Sequence, residues 1–151
     1  MIYHQVPSGM STYIRPLSCL DYVSMKDIFI ETFCNNGFNT KKICSLWKRR
    51  NIETSLGIFS EDHDILGFTI TVGNHLARIA IHPDFQNQGL GSKLLVRVLN
   101  MYSNKNISVS IVPINDSLTS YYARYGFVDC GEYVMSKHYY NTRRASKNCP
   151  S

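Results

Sequence analysis

The sequence predicts a mixed α/β fold in which helices cover one mixed sheet. Two observations carry that expectation. Three short runs rich in β-branched and apolar residues lie between Ser55 and Ile81 with only turn-length gaps between them, and helical segments with one apolar face precede and follow them. Helices layered on a sheet bury both kinds of apolar face. The element order reads β-α-α-β-β-β-α-β-α-β, with an eleventh element if the last strand is divided.

The elements follow in order. Tyr13-Ile14-Arg15-Pro16-Leu17 reads as the first strand. Asp21 is placed to cap a helix whose apolar residues Val23, Met25, Ile28, Phe29 and Phe33 follow a 3.6-residue period loosely. Asn35-Asn36-Gly37 stops that helix. Thr40 to Arg50 forms a second, with Ile43, Leu46 and Trp47 on one face and the basic run Lys48-Arg49-Arg50 at its negative end. Strands Ser55 to Ser60, Ile65 to Val72 and Leu76 to Ile81 are divided by Glu61-Asp62-His63-Asp64 and by Gly73-Asn74, an antiparallel meander. Gly89 opens a helix with the stripe Leu90, Leu94, Leu95, Val98, Leu99 and Tyr102, and Lys93 and Arg97 lie opposite. Ile107 to Val112 is a strand, and Asn115 to Tyr125 a helix ended by Gly126. Phe127 to Tyr139 supplies one or two strands, bent at Gly131.

Composition bounds the function. A chain of 151 residues is one domain's worth, here residues 1–151, with 1–11 a leading extension and 141–151 a frayed basic tail. Hydrophobic residues at 44% against charged residues at 18% indicate a folded chain rather than a disordered one. The first ten residues lack a signal-peptide pattern, and no apolar run is long enough for a membrane span. A soluble, cytoplasmic protein with no membrane partner is expected. Cys19, Cys34, Cys44, Cys130 and Cys149 show no paired spacing, so free thiols and no metal site are expected. The net charge of +5 is partly local, in Arg143, Arg144 and Lys147. That charge could draw an anionic ligand, but the absence of a nucleic-acid motif argues against nucleic acid.

The chemistry concentrates where strand Ile79-Ala80-Ile81 runs through His82-Pro83-Asp84 into a glycine turn and a helix. The turn, Gln86-Asn87-Gln88-Gly89-Leu90-Gly91-Ser92, presents unpaired backbone N–H groups at a positive helix end. Its glycines admit close approach, which makes it a pyrophosphate cradle. The P-loop pattern fails for want of Gly-Lys-Ser/Thr. The dinucleotide pattern G-x-G-x-x-G fails because position 94 is Leu.

The spacing Gln86-x-x-Gly89-x-Gly91 resembles the acetyl-CoA signature, Q/R-x-x-G-x-G/A, of the GNAT superfamily of N-acetyltransferases. A second segment also resembles that family: Asn115, then Tyr122 seven residues on, then Gly126-Phe127. Leu118 stands where the family has a small residue, and Arg15-Pro16 followed by Asp21 is similar to the family's start. The likeness runs from Tyr13 to Tyr139.

The resemblance implies a sheet splayed between its fourth and fifth strands, with the pantetheine arm of acetyl-CoA lying along Ile79-Ala80-Ile81. It implies that the backbone from Gln86 to Ser92 holds the pyrophosphate. Asn115 would contact the arm, a backbone N–H near Ile81 would face the thioester oxygen, and Tyr122 would protonate the leaving thiolate. Members that acetylate lysine often carry a glutamate eleven residues before the Q/R, where this chain has His75.

Direct transfer needs an oriented thioester, an oxyanion donor, a base and an acid. A tyrosine of pKa about 10 against a thiol of about 8.5 is nearly balanced, and histidine at about 6.5 is a base at neutral pH. Ten tyrosines and the cluster Tyr121, Tyr122, Tyr125 also fit plain core packing, and His75 after Gly73-Asn74 also fits an idle turn residue. The function expected is acetyl transfer from acetyl-CoA to a primary amine of a protein or a small molecule. Related proteins often form homodimers. A non-catalytic CoA-binding or protein-interaction module, and a basic nucleic-acid binder, are the alternatives.

Overall fold

The computed structural model describes residues 11–33, 40–110, 116–130 and 134–137. Strand β1 (Thr12–Pro16) leads through a 3-10 turn (Cys19–Asp21) into helices α1 (Tyr22–Phe33) and α2 (Thr40–Arg49). Strands β2 (Leu56–Ser60), β3 (Ile65–Val72) and β4 (His75–Ile81) follow. A second 3-10 turn (Pro83–Phe85) precedes helix α3 (Leu90–Met101). Then come β5 (Ile107–Ser110), helix α4 (Asp116–Ala123), β6 (Val128–Asp129) and β7 (Val134–Lys137). The seven strands form one sheet in the order β1-β2-β3-β4-β5-β7-β6, antiparallel throughout except for the parallel pair β4–β5.

Strand alternation sorts the core into two layers. Leu56 and Ile58 of β2 point to one face, where Leu94, Leu95 and Val98 of α3 and Tyr122 of α4 join them. Phe59 points to the other, against Met25, Ile28 and Phe29 of α1 and Ile43 of α2. The apolar stripe of α3 is buried as its spacing predicts, with Lys93 and Arg97 exposed. In α1 the period breaks at Val23, which is 69% exposed while Met25 two residues on is fully buried.

Asp21 takes part in a cap, but for the 3-10 turn. Its carboxylate accepts from the Ser18 N–H at 2.7 Å and from both terminal nitrogens of Arg15, the nearer at 2.8 Å. Burial alone would raise the Asp21 pKa, but these donors outweigh it and hold the carboxyl below its usual range. At the end of α2, Arg50 lies over the Trp47 ring at 3.8 Å and donates to the Trp47 carbonyl, which satisfies a terminal acceptor.

Cys19 and Cys44 are free thiols, whereas Cys130 is disulfide-bonded. That corrects the expectation of five free thiols; a pairing set by tertiary approach leaves no spacing signal. The helix stop at Asn35-Asn36-Gly37, the bend at Gly131, the end of the strand at Ile111 and Val112, and the basic tail lie outside the described residues. Among the described residues, no helix is long and apolar enough to cross a membrane.

Candidate active site

Strand β4 builds the site by leaving its partner. It pairs with β5 only at its start, His75 opposite Ser108 and Leu76 opposite Val109. On its other edge it stays paired with β3 as far as Ile81 opposite Gly67. Among the described residues, Ile79-Ala80-Ile81 therefore has no partner strand on the β5 side, and an extended ligand arm can use that free edge. The register also slips inside β4: Arg78 faces Ile70 while Leu76 faces Thr71, so Ala77 is the extra residue of a bulge. Such a bulge re-aims side chains and increases local twist. Here Arg78 turns to the α1 face, with its guanidinium 5.7 Å from the Phe33 ring centre. The close approach of β3 depends on Gly67, where a Cβ would collide with the Ile81 side chain and the Ala80 carbonyl.

Beyond Ile81 the chain is held in a fixed turn. The His82 N–H donates to Leu66 O at 2.8 Å, and the His82 ring accepts from the Asp84 N–H at 3.0 Å, so His82 acts as a turn cap. The Gln86 side-chain amide donates to Ile81 O at 3.0 Å and ties the loop back to the strand end. Asn87 and Gly89 both have left-handed backbone, φ +64° and +82°, which aims the turn into α3. The first intrahelical bond runs from the Lys93 N–H to Gly89 O, which leaves the amides of Leu90, Gly91 and Ser92 for a ligand. A Cβ at Gly89 would meet nothing within 4 Å, so the cradle stands open there.

A cavity of about 550 Å³ joins the free β4 edge to this turn and to α4. Ile79, Ala80 and Ile81 line one wall, Gln86, Asn87, Gly89, Leu90, Gly91 and Ser92 the mouth, and Leu118, Tyr121 and Tyr122 the opposite wall. Among the described lining residues there is no carboxylate, and the start of α3 adds positive potential, a combination suited to an anionic ligand. Gln88 is half-buried in the same turn. The Ser92 hydroxyl meets the Tyr121 hydroxyl at 2.9 Å and closes α3 onto α4. Tyr122 is 3% exposed, packed edge-on against Tyr121 and Phe127. Burial, with a smaller contribution from Tyr121, pushes its pKa well above the ordinary tyrosine range, so the hydroxyl keeps its proton. Asn115 lies outside the described residues.

His75 does not line this cavity. It sits at the paired start of β4, about 13 Å along the strand from Ile79 at ~3.3 Å per residue. Its Nδ1 is 2.6 Å from Ser108 Oγ and its Nε2 is 2.6 Å from Ser110 Oγ. Burial and then the nearby Arg78 cation lower its pKa, so it is neutral at pH 7. Sequence reasoning missed Ser110, Arg78, Phe33 and Thr32: Ser110 reaches the site through the parallel β4–β5 pairing, Phe33 and Thr32 through the packing of α1 on the sheet, and Arg78 through the bulge in β4. Among the described residues, no group of three or more His, Cys, Asp or Glu side chains could hold a metal ion.

The family model described as an acetyltransferase (GNAT) domain matches residues 24–142. An uncharacterized N-acetyltransferase, ycf52, of Pyropia yezoensis is 26% identical over 102 residues, 68% of this chain. The chain spans about half the length of that curated relative, 56%. The ribosomal-protein-S18-alanine N-acetyltransferase of Escherichia coli superposes with a TM-score of 0.69 at 18% identity, over 85% of this chain and 94% of that one. The PaiA N-acetyltransferase of Thermoplasma acidophilum, solved in complex with coenzyme A, superposes with a TM-score of 0.62 at 21% identity, over 86% of this chain and all of that one (100%). The match over residues 24–142, on a splayed sheet with a glycine turn at the start of α3, places this chain in the GNAT family of acetyltransferases.

Proposed function

We propose that the protein transfers the acetyl group of acetyl-CoA directly to a primary amine of a protein or small molecule, with residues 1–151 acting as one N-acetyltransferase domain. One observation carries the reading: the free edge of β4, the amides of the α3 turn and Tyr122 all line one cavity. The cavity residues fit the co-substrate. The free amides of Leu90, Gly91 and Ser92 suit a pyrophosphate, the open space at Gly89 admits it, and the unpaired edge at Ile79–Ile81 suits an extended amide-bearing arm. Acetyl-CoA supplies the activated acyl group.

In this reading, Asn87 and Gln88 set the turn rather than bind through their side chains, and Gln86 holds the turn to Ile81. Asn115 remains a candidate contact to the arm. A backbone N–H near Ile81 stabilises the negative charge that develops on the acyl oxygen. Tyr122 donates a hydrogen bond to the departing sulfur. Its raised pKa makes complete proton transfer to a thiolate less favourable than the values of about 10 and 8.5 suggest. The sulfur therefore recovers its proton as the products separate. His75 serves as the base. A protein α-amine or lysine and a small amine remain equal candidates for the acceptor, in a soluble protein that can pair with a second copy.

The test is a thiol-release assay with acetyl-CoA against a panel of peptide and small-molecule amines, with the acetylated product identified by mass spectrometry. Amine-dependent release of free thiol at micromolar to millimolar substrate supports the proposal. Binding of acetyl-CoA with no turnover of any amine would instead favour a CoA-binding module.

A further inference from the structure

The His75 ring lies outside the cavity, yet it touches a residue that lines its innermost part. Ser110, the last residue of β5, lines a cavity of about 50 Å³ together with Tyr122, Ile79, Leu118, Phe33 and Arg78. Four of these, Phe33, Ile79, Leu118 and Tyr122, also line the larger cavity, so the small one continues it toward the α1 face. It has room for a water or the head of an amine, since a water needs only about 10–15 Å³. Ser110 thus lines the same small space as Tyr122, and its hydroxyl lies 2.6 Å from His75 Nε2.

Resting on the transfer reading above, we propose that Ser110 Oγ takes the proton of the attacking amine, directly or across one water, and passes its own hydroxyl proton to Nε2 of His75. The atoms balance. The amine nitrogen forms a bond to the acyl carbon, the carbon–sulfur bond breaks, and the sulfur leaves with the electron pair. The surplus amine proton moves to Ser110 Oγ, while the Ser110 proton makes His75 an imidazolium. The relay requires the tautomer in which Nδ1 carries the proton and donates to Ser108 Oγ at 2.6 Å, leaving Nε2 as the acceptor. Both ring nitrogens of the imidazolium then have hydroxyl partners.

The surroundings keep the relay directional. Arg78 on β4 is the charged residue that acts on His75 among the described residues, and it disfavours the imidazolium. The β5 residues against the ring are the serines 108 and 110, and Val72 of β3 lies opposite His75, so neither strand adds a charge there. The imidazole is therefore neutral before turnover and returns its proton readily afterwards. The sequence offers His75 as a candidate base, whereas this relay gives the contact with the amine to Ser110.

The experiment compares wild type, Ser110→Ala, Ser110→Thr and His75→Gln. For each it reads acetyl-CoA affinity, kcat/KM for the acceptor against pH, and the imidazole nitrogen shifts of ¹⁵N-histidine-labelled protein. Ser110→Ala should leave acetyl-CoA affinity unchanged and lower kcat/KM by about 10²-fold or more, in the range for general base catalysis. It should also abolish the acidic limb set by His75. Ser110→Thr, which keeps a hydroxyl at the same position, should recover most of the rate. The nitrogen shifts should report a proton on Nδ1 of His75 with or without acceptor.

A Ser110→Ala enzyme with wild-type rate and pH profile overturns the relay, as does a His75 protonated on Nε2 in the free protein. If His75→Gln collapses the rate and Ser110→Ala does not, His75 is the base without Ser110. If neither changes it, the assignment of His75 as base falls as well.

Discussion

The two glycines of the α3 turn look interchangeable in the sequence, but the structure predicts opposite effects for alanine at each. Gly89 has φ +82°, and nothing lies within 4 Å of the Cβ position. Alanine there meets no clash, so the penalty is purely the left-handed backbone, about 1–2 kcal/mol. Gly91 is inside the first turn of α3, where a Cβ would make ordinary contact with Ile81 Cγ1 at 3.7 Å. Alanine there should stabilise the free protein by roughly 0.5–1 kcal/mol, the usual helical glycine-to-alanine gain. At about 2–4 °C per kcal/mol for a chain of this size, the two variants should separate by roughly 3–12 °C in Tm.

The assay is thermal unfolding of Gly89→Ala, Gly91→Ala and wild type in the absence of ligand, followed by the same scans with acetyl-CoA. Gly89→Ala should melt below wild type and Gly91→Ala above it. The ligand-induced rise should shrink for Gly89→Ala, whose methyl projects into the open cradle. Equal melting temperatures, or Gly91→Ala as the less stable of the two, would refute the backbone assignment of the turn and with it the cradle.

Three further outcomes are expected. Tyr122→Phe, which loses a hydrogen-bond donor to the developing thiolate, should lower kcat by about 10²–10³-fold with little change in acetyl-CoA affinity, whereas Tyr121→Phe, which loses the hydrogen bond to Ser92, should cost stability of about 0.5–1.5 kcal/mol and little rate; steady-state kinetics and thermal melts separate the two. The pKa of His75 is depressed in the folded chain, so the unfolded chain binds more protons below about 6.5. Stability should be full above that pH and fall as pH drops below it, and His75→Gln should flatten this slope in urea titrations. The Asp21 pKa is also depressed, so its contribution is present above about 3.9 and lost as pH falls further. Asp21→Asn should lower stability at neutral pH and weaken its dependence on acid, read from thermal melts between pH 2 and 7.

The sequence shows clearly whatever depends on local period and turn chemistry. The stripe of α3, the meander from Ser55 to Ile81 and the glycine turn all emerge from spacing alone, because each is set by residues close in the chain. Tyr122 is legible only through its spacing to Asn115 and Gly126, which resembles the family's pattern, and the structure puts it on a wall of the cavity. The bulge at Ala77 is not legible, since alanine suits either face of a strand and nothing in its neighbours marks an extra residue. Nor are Ser108 and Ser110, which meet His75 across a parallel pairing of strands more than 25 residues apart. The Gln86 side chain shows the limit of a motif: the residue is where the pattern requires, but its amide holds the Ile81 carbonyl.

The central claim is that the slot between β4 and α4 holds acetyl-CoA. Calorimetric titration of acetyl-CoA into wild type and Gly89→Glu tests it most directly, because a glutamate at Gly89 places bulk and negative charge in the cradle. Micromolar binding to wild type that is lost in the variant is the predicted result. No heat of binding at millimolar acetyl-CoA with folded wild type, or equal binding to both proteins, would contradict it.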